Sequence, residues 1–333
     1  MLKMNDIADL AGVSIATVGR VIHNSGYVSQ ENRNKIERII SEKGYIPNRT
    51  AQELKGSKSK LIGHLTIFNS NMLYEEIAKS INIQARKLGY QIITIVVERE
   101  PEEAKRQIQE LISRQVDGLI ITSNPFIKKE HITLLEKAQI PFVFVEREFA
   151  CNKYDFIQVD DLAGSTEAVN RIISYGHKEI GFIGLTPKHE VEHLRLEGYR
   201  QAISIAGIIP DDNRIYLANE YTVEEGKQAA KHIFRADPKV TAIFATSDIL
   251  VCGVLQHCYE EQIRVPQELS IIGYDNTLSA FTAPGISSMK LPLEEIAVQA
   301  MDLLMTRTKD PEREPVRYTV RPIFIDRRSI APR

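Results

Sequence analysis

Two histidines and a glutamate near the middle of the chain have the spacing of a zinc metalloprotease helix. In HEVEH (189–193), His189 and His193 would lie one turn apart, with Glu190 as a general base beside the metal. That chemistry requires both histidines inside the helix and a third ligand from elsewhere. Pro187 precedes the motif, so His189 is expected at or before the first helical turn. We therefore expect exposed polar residues that open a helix, with no metal site and no cofactor.

Enzyme signatures of other kinds are missing from the sequence. The patterns G-x-x-x-x-G-K-[ST], G-x-G-x-x-G and G-x-S-x-G do not occur. His177, between a predicted helix and a predicted strand, is better interpreted as a structural histidine than as a base. No catalytic residue is assigned, and we expect the protein not to be an enzyme.

The segment 5–24 predicts two short helices joined by a tight turn. Gly12 follows the first helix, where a left-handed turn residue is needed. Ser14 is a good N-cap for the second helix, on which Val18 and Val21 have the spacing of core residues. This is the helix-turn-helix arrangement, in which the second helix lies in the major groove of DNA. A third helix is expected from the N-cap Ser29 to about Lys43.

Other faces of the second helix carry side chains that could contact base pairs. Arg20 could donate two hydrogen bonds to a guanine, and Ile15 and Ala16 could contact a thymine methyl group. A plain three-helix bundle that binds no DNA is the alternative, because short helices separated by glycine are common. The predicted DNA-binding residues are Ser14, Ile15, Ala16, Thr17, Arg20, His23, Asn48, Arg49 and Leu54.

The next segment, 45–56, favours DNA binding over the plain bundle. It predicts a short, mostly polar helix after Pro47 that would be marginal in isolation. Leu54 is its one large apolar residue, and Arg49 and Lys55 lie close by in sequence. Such a helix suits a wedge inserted into the minor groove; packing of Leu54 against the rest of the protein is the alternative.

Charge and composition divide the 333-residue chain into a basic head and an acidic body. The net charge is −2, but residues 1–60 carry +4 and residues 61–333 carry −6. This layout is typical of a DNA-binding module joined to a sensor domain. We assign 1–46 to a helix-turn-helix domain, 47–60 to a hinge helix and linker, and 61–333 to a body that binds an effector.

The three cysteines form no C-x-x-C pair and are expected to be reduced. Asp6 and Asp9 lie where a signal peptide would need an apolar run, and no stretch is apolar enough to span a bilayer. We therefore expect a cytoplasmic protein without a membrane partner.

Beyond residue 60, strand-like apolar runs alternate with amphipathic helical stretches. The runs LIGHLTIF (61–68) and VDGLIIT (116–122) are typical, and a second series begins at EIGFIG (179–184). Fully apolar strands that alternate with helices predict parallel sheets covered on both faces. The predicted fold is thus an all-α head plus an α/β body of two doubly wound lobes, of periplasmic-binding-protein type. A ligand is expected in the cleft between the lobes.

The chain resembles the LacI/GalR family of transcription regulators. The resemblance is carried by DIADLAGVSIATVGRVIHN in the head and, in family order, by GHKEIGFIG, RLEGYRQAI, ATSD and RVPQELSIIGYDN in the body. It covers essentially the whole chain. It implies a homodimer on a near-palindromic operator, regulated by a small molecule, most commonly a sugar. Gly19 is a departure, since the family usually has serine there.

The resemblance also implies an effector site between the lobes. Arg195 could bind hydroxyls or a carboxylate, Asp275 could accept from sugar hydroxyls, and Tyr74 and Tyr221 could stack on the ligand. Asp160 is a weaker candidate that could instead hold the hinge. The predicted effector-binding residues are Tyr74, Ser123, Asp160, Arg195, Tyr221, Ser247, Asp248 and Asp275.

Two other functions are consistent with parts of the sequence. A sugar-binding module without DNA activity would have the same body, but the basic head and the lack of a signal peptide argue against it. A sugar-processing α/β enzyme would need a catalytic constellation that the sequence does not supply. Effector identity, and whether it releases or tightens DNA, cannot be derived from the sequence.

Overall fold

A computed structural model describes residues 3–22, 24–45, 59–67, 71–97, 100–123, 125–146, 153–187 and 190–333. The chain divides into two compact units, Met1–Ser59 and Lys60–Arg333. The division falls at the end of the small, basic stretch GSKSK (56–60). No helix in the described part of the chain is long and apolar enough to cross a membrane.

In its described residues, the first unit contains three helices, α1 (Met4–Ala11), α2 (Ile15–Ile22) and α3 (Gln30–Lys43). Gly12 ends α1 with φ of 65°, a left-handed conformation that most residues avoid because of their Cβ. The Ser29 hydroxyl accepts a hydrogen bond from the Asn32 backbone N–H and caps α3. The predicted helix-turn-helix and third helix are therefore confirmed. Their common core is formed by Ile7, Ala8, Ala11, Val18, Val21, Ile36 and Tyr45.

The second unit has two lobes, each with a six-stranded sheet. In the N-terminal lobe the strand order is β11-β5-β4-β3-β1-β2, and every neighbouring pair is parallel. Its strands are β1 (Leu61–Thr66), β2 (Gln91–Val96), β3 (Gly118–Thr122), β4 (Phe142–Val145), β5 (Asp155–Val159) and β11 (Arg317–Val320). Its helices are α4 (Leu73–Lys87), α5 (Pro101–Ser113), α6 (Lys129–Lys137) and α11 (Leu293–Lys309).

The C-terminal lobe has the order β12-β10-β9-β8-β6-β7, parallel except for the pair β10 and β12. Its strands are β6 (Ile180–Leu185), β7 (Ile215–Ala218), β8 (Ala242–Ala245), β9 (Ser270–Asp275), β10 (Ser287–Lys290) and β12 (Ile323–Ile325). Its helices are α7 (Asp161–Ser174), α8 (Glu190–Ile205), α9 (Val223–Ala236) and α10 (Asp248–Glu260), with a 3₁₀ turn at Asp212–Arg214. The two doubly wound lobes were predicted, and they are confirmed.

The chain passes between the lobes at three places. It leaves the first lobe after β5, returns after β10 to form α11 and β11, and leaves again before β12. Two of these crossings are joined, because the Asp160 backbone N–H donates to the Val320 carbonyl at 2.8 Å. The Asp160 carboxylate also lies 3.9 Å from the Arg321 guanidinium. These contacts hold adjacent hinge strands side by side.

Candidate DNA-binding face and effector cavity

Helix α2 presents its predicted contact residues away from the core of the head. The Ser14 hydroxyl accepts a hydrogen bond from the Thr17 backbone N–H at 3.2 Å, so Ser14 is the expected N-cap. Ile15 is 48% exposed, although it is a large apolar residue, and Ala16 and Arg20 are also exposed. An exposed apolar side chain next to an exposed arginine can read a thymine methyl group and a guanine edge.

Four of the predicted DNA-binding residues cannot be placed. His23, Asn48, Arg49 and Leu54 lie outside the described residues. The hinge helix and the minor-groove wedge at Leu54 therefore stay predictions.

The body contains a cavity of about 310 Å³ between its two lobes. Loops that follow the strands of the first sheet form one wall, and α7, α8 and the loop before α9 form the other. This is the location expected for a ligand beyond the carboxyl ends of parallel strands. The polar and charged lining residues include Asn71, Tyr74, Ser123, Glu146, Gln158, Asp161, Glu190, Glu192, Arg195 and Tyr221.

Arg195, on α8, is the central cation of this site, and its side chain is buried. Its Nε donates to the Asp161 carboxylate at 2.7 Å and its Nη1 to the Thr246 carbonyl at 2.8 Å. The guanidinium also lies over the Tyr274 ring, 4.1 Å from the centroid, and its Nη2 is 3.6 Å from Asp275 Oδ1. Because these contacts fix the plane of the guanidinium, it can meet a ligand without first being ordered.

Asp275 ends β9 in the left-handed region, with φ of 83°. Its Oδ2 accepts a hydrogen bond at 2.9 Å from the Asn71 side-chain amide, which belongs to the other lobe. Burial raises the pKa of Asp275 to about 6, although the nearby Arg195 lowers it. The Asn71–Asp275 hydrogen bond therefore joins the two lobes directly at the ligand site.

Both predicted tyrosines line the cavity. The Tyr74 hydroxyl donates to the Ser123 hydroxyl at 3.2 Å, and Tyr221 lies beyond Leu185 on the other lobe. Burial raises the pKa of both phenols, so both remain neutral donors. Rings with one polar edge suit a ligand that has apolar faces and hydroxyl edges.

Sequence reasoning missed Glu146, which directly follows β4. It is only 6% exposed, and its Oε1 has no hydrogen-bond partner in the part of the chain that the structure describes. Burial, together with the charges of Asp161 and Asp275, raises the pKa of Glu146 to about 8. A signal was present, because Glu146 follows the apolar strand run FVFV (142–145), just as Asp275 ends another.

Three residues at strand ends in or beside the cavity lining have a strained backbone. Ser123, Glu146 and Asp275 all have positive φ, at 36°, 67° and 83°. Residues other than glycine adopt such angles at a cost of about 1–3 kcal/mol, and strained residues cluster at ligand sites. The three strand ends are therefore held in place by the surrounding fold rather than by their own preference.

Four predicted effector residues do not line the cavity in this structure: Asp160, Ser247, Asp248 and Asp275. The buried Asp275 carboxylate instead contacts two residues that do line it, Arg195 and Asn71. Asp160 instead caps α7, where its carboxylate accepts from the Ala163 backbone N–H, and the neighbouring Asp161 lines the cavity. Asp248 accepts hydrogen bonds from the backbone N–H groups of Leu278 and Ser279 and from the Ser288 hydroxyl, so its carboxylate organises a loop. Ser247 is fully buried, and its hydroxyl has no hydrogen-bond partner.

The metalloprotease motif does not form a metal centre in the described residues. Helix α8 begins at Glu190, His189 lies outside the described residues, and His193 is exposed. In the described part of the chain, no three His, Cys, Asp or Glu side chains are arranged to hold a metal ion.

Comparisons with known proteins agree with both units. Residues 3–48 match the model for bacterial regulatory proteins of the lacI family, and residues 169–330 match the periplasmic-binding-protein-like domain. The transcriptional regulator DegA of Bacillus subtilis is 32% identical over 332 residues, 98% of this chain and 97% of DegA. The chain belongs to the LacI family. It is a sequence-specific DNA-binding transcription regulator whose body is built to bind a small molecule.

Two solved structures of regulators are similar over the full length of this LacI-family protein. A complex of the regulator CelR with cellobiose is 26% identical, with a TM-score of 0.74, and the match covers 99% of this chain and 100% of CelR. The lac repressor dimer bound to operator is 24% identical, with a TM-score of 0.85, and the match covers 99% of both chains. The latter supports the fold alone.

Proposed function

We propose that this LacI-family protein is a repressor that binds a near-palindromic operator as a homodimer, and that a sugar or sugar derivative in the interlobe cavity controls its affinity for DNA. The observation that carries the proposal is the buried Arg195 guanidinium, which is held in the wall of this cavity. The Asn71–Asp275 hydrogen bond joins the two lobes at the same place. The protein acts in the cytoplasm, catalyses no reaction and needs no cofactor.

Several features of the cavity suit a polyhydroxylated molecule. Arg195 offers a planar set of donors, and Asn71 offers a side-chain amide, with both a donor and an acceptor, from the opposite lobe. Tyr74 and Tyr221 supply aromatic faces with polar edges. That CelR was solved with cellobiose supports a carbohydrate for this chain.

The same contacts suggest how a ligand changes the shape of the body. A ligand hydroxyl that accepts a hydrogen bond from the Asn71 amide competes with the Asp275 carboxylate for that donor and so changes the link between the lobes. The effector therefore favours one closure angle, and its different affinities for the two closure states shift their populations. In a dimer, that shift alters the spacing of the two DNA-binding heads.

The edge of the first sheet supports a dimer. Strand β2 has one neighbour within its sheet, and its outer side packs on no other strand in the described residues. Val96 on this strand is 37% exposed, and Ile83 and Leu88 at the end of α4 are 50% and 41% exposed. An apolar sheet edge is a surface that a second copy can cover.

The proposed function is tested in two steps with the full chain. An operator is first selected from a pool of random duplexes, and its dissociation constant is measured at several salt concentrations. Sugars, uronic acids, sugar phosphates and nucleosides are then screened by thermal shift and for an effect on operator affinity. A ligand at 100 times its dissociation constant should add about 2.7 kcal/mol of stability.

Asp275→Ala and Arg195→Ala are expected to lose the response to the ligand. Arg200→Ala is the matched control, because Arg200 lies on the same helix but its side chain is 55% exposed and faces Asp212 at the surface. A chain that selects no sequence contradicts the DNA-binding part. A ligand response that survives both cavity variants contradicts the effector part.

A further inference from the structure

The cavity carries more acid than base. Its described lining contains four carboxylates, from Glu146, Asp161, Glu190 and Glu192, and one guanidinium, from Arg195. A neutral polyol requires no such excess, because hydroxyls pair equally well with donors and acceptors. A sugar acid or a sugar phosphate would add further negative charge to this lining.

Arg195 makes its hydrogen bonds and its ion pairs with residues other than Glu146 and Glu192. It donates to Asp161 and to the Thr246 carbonyl, and its third contact is with Asp275. It therefore donates no hydrogen bond to Glu146 or to Glu192.

Two carboxylate oxygens in this lining have no donor among the described residues. Glu146 is only 6% exposed, and its Oε1 has no hydrogen-bond partner. The Oε2 atom of Glu192 is also buried and has no hydrogen-bond partner. The two residues come from opposite lobes, since Glu146 follows β4 and Glu192 lies in the first turn of α8. Once ionised, a carboxylate only accepts hydrogen bonds, so a bound molecule that carries donors and a positive charge would satisfy both oxygens.

We propose that the effector is an amino sugar, whose protonated amine lies beside Glu146 and whose hydroxyls contact Arg195 and Asn71. This inference rests on the proposed function, because it names the chemical class that the same cavity takes. An ammonium group supplies both the missing charge and up to three donors. Charge-assisted hydrogen bonds of this kind are roughly twice as strong as neutral ones.

The protonation state of Glu146 provides an independent readout. Its pKa is raised to about 8 by burial and by Asp161 and Asp275, and is lowered by Arg195; Glu190 and Glu192 also face the cavity. At pH 6.5 the empty site therefore holds a proton on Glu146. A bound ammonium favours the carboxylate, so binding should release up to one proton to solvent.

The test compares matched sugars that differ only in an amine or a hydroxyl. The pairs are D-glucosamine with D-glucose, D-galactosamine with D-galactose, and D-mannosamine with D-mannose. Binding to the full chain is measured by calorimetry at pH 6.5, in two buffers with different enthalpies of ionisation, which gives the number of protons released. Glu146→Gln keeps the shape of the side chain but removes its charge. Glu294→Gln is the control, since Glu294 is 88% exposed and far from the cavity lining.

The expected result is that at least one amino sugar binds about tenfold more tightly than its neutral partner, with proton release. Glu146→Gln should reduce that preference to about threefold or less and abolish the proton release, and Glu294→Gln should change neither. A neutral sugar that binds as tightly, with loss in Arg195→Ala, overturns the inference but leaves the proposed function standing. Failure of all three amino sugars to bind also overturns the inference. The proposed function fails separately, if no small molecule changes operator affinity through the cavity.

Discussion

Arg195 and Asp161 form a buried ion pair that joins α8 to α7, with Nε 2.7 Å from Oδ1. Their side chains are 3% and 2% exposed. Because Arg195 also holds the Thr246 carbonyl, it fixes one wall of the cavity as well as offering donors to a ligand. Its substitution therefore has a structural consequence that is separate from ligand binding.

We expect Arg195→Ala to lower the free energy of unfolding by about 3–5 kcal/mol, because it leaves the Asp161 carboxylate buried without its partner. Adding Asp161→Asn should recover part of this loss by removing the buried charge. Urea unfolding of the full chain measures both. Arg200→Ala should cost no more than about 1 kcal/mol, since its pair with Asp212 is exposed. Equal losses for Arg195→Ala and Arg200→Ala would contradict a structural role for the buried pair.

A second prediction concerns Asp248, whose three hydrogen bonds hold the loop after β9. Asp248→Ala should lower the free energy of unfolding by about 1–3 kcal/mol or more, because it leaves buried donors of Ser279 and Ser288 without an acceptor. The order of preference among sugars should stay the same, since the carboxylate does not line the cavity. Thermal unfolding and the sugar screen together check this. A changed order of preference would return Asp248 to the ligand site.

The sequence was sufficient for the architecture and for the centre of the site. Apolar strand runs such as FVFV (142–145) predicted buried parallel strands, and polar residues at strand ends predicted a cavity at that edge. The search for polar residues at strand ends identified Asp275 as a candidate, and it could also have identified Glu146. The family pattern directed attention to Arg195 instead, and it did not point to Glu146.

The sequence did not decide which of two adjacent side chains faces the cavity, and it did not show which groups pair across distant parts of the chain. Asp160 and Asp161 are adjacent carboxylates at a helix start, and only the backbone geometry shows that the first caps the helix and the second faces the cavity. Asp248 binds backbone groups 30 residues later in the chain, a contact that no local pattern indicates. Capping preference and strand-end position therefore predicted the neighbourhood of these residues but not their partners.

Arg20 carries a prediction about DNA specificity. Arg20→Ala should abolish the preference for the selected operator over a scrambled duplex but leave residual binding to random DNA, because phosphate contacts do not depend on sequence. Arg38→Ala is the matched control, since Arg38 is on α3 and pairs with Glu42 at the surface. Competition binding at constant salt measures the ratio. If Arg20→Ala keeps the full discrimination, α2 is not the recognition helix.

Gly19 is a position where substitution should increase helix stability or DNA binding rather than reduce them. Apart from the adjoining backbone of α2, no atom of the described residues lies within 4 Å of the Cβ position at Gly19, so a side chain fits there without displacing one of them. Gly19→Ala and Gly19→Ser should both stabilise the helix, by up to about 1 kcal/mol. If the serine also contacts a phosphate, only Gly19→Ser should steepen the dependence of operator affinity on salt or tighten binding beyond the alanine variant. Identical DNA binding by the two variants would show that this hydroxyl makes no contact.

Glu146 makes the stability of the ligand-free protein depend on pH in a defined direction. Its pKa rises from an ordinary 4.5 to about 8 in the folded chain, so between these values the folded chain holds a proton that the unfolded chain has lost. The free energy of unfolding should therefore fall as pH rises through this range, by up to about 1.4 kcal/mol per pH unit. Burial lowers the pKa of His64 to about 4, which has the opposite effect, but only below the ordinary histidine value of 6.5.

The interval from pH 7 to pH 8 lies above the ordinary histidine pKa of 6.5 and above the pKa of about 6 at Asp275, so Glu146 contributes most of the change in stability there. Urea unfolding of the ligand-free chain across this interval should show declining stability. Glu146→Gln removes the titrating group, so its stability should be nearly constant over the same interval and exceed that of the unmodified protein at pH 8. Glu294→Gln, at an exposed position, should decline in parallel with the unmodified protein. Parallel curves for Glu146→Gln and the unmodified protein would mean that Glu146 is ionised in the empty cavity at neutral pH, and that its unpartnered oxygen is compensated in another way.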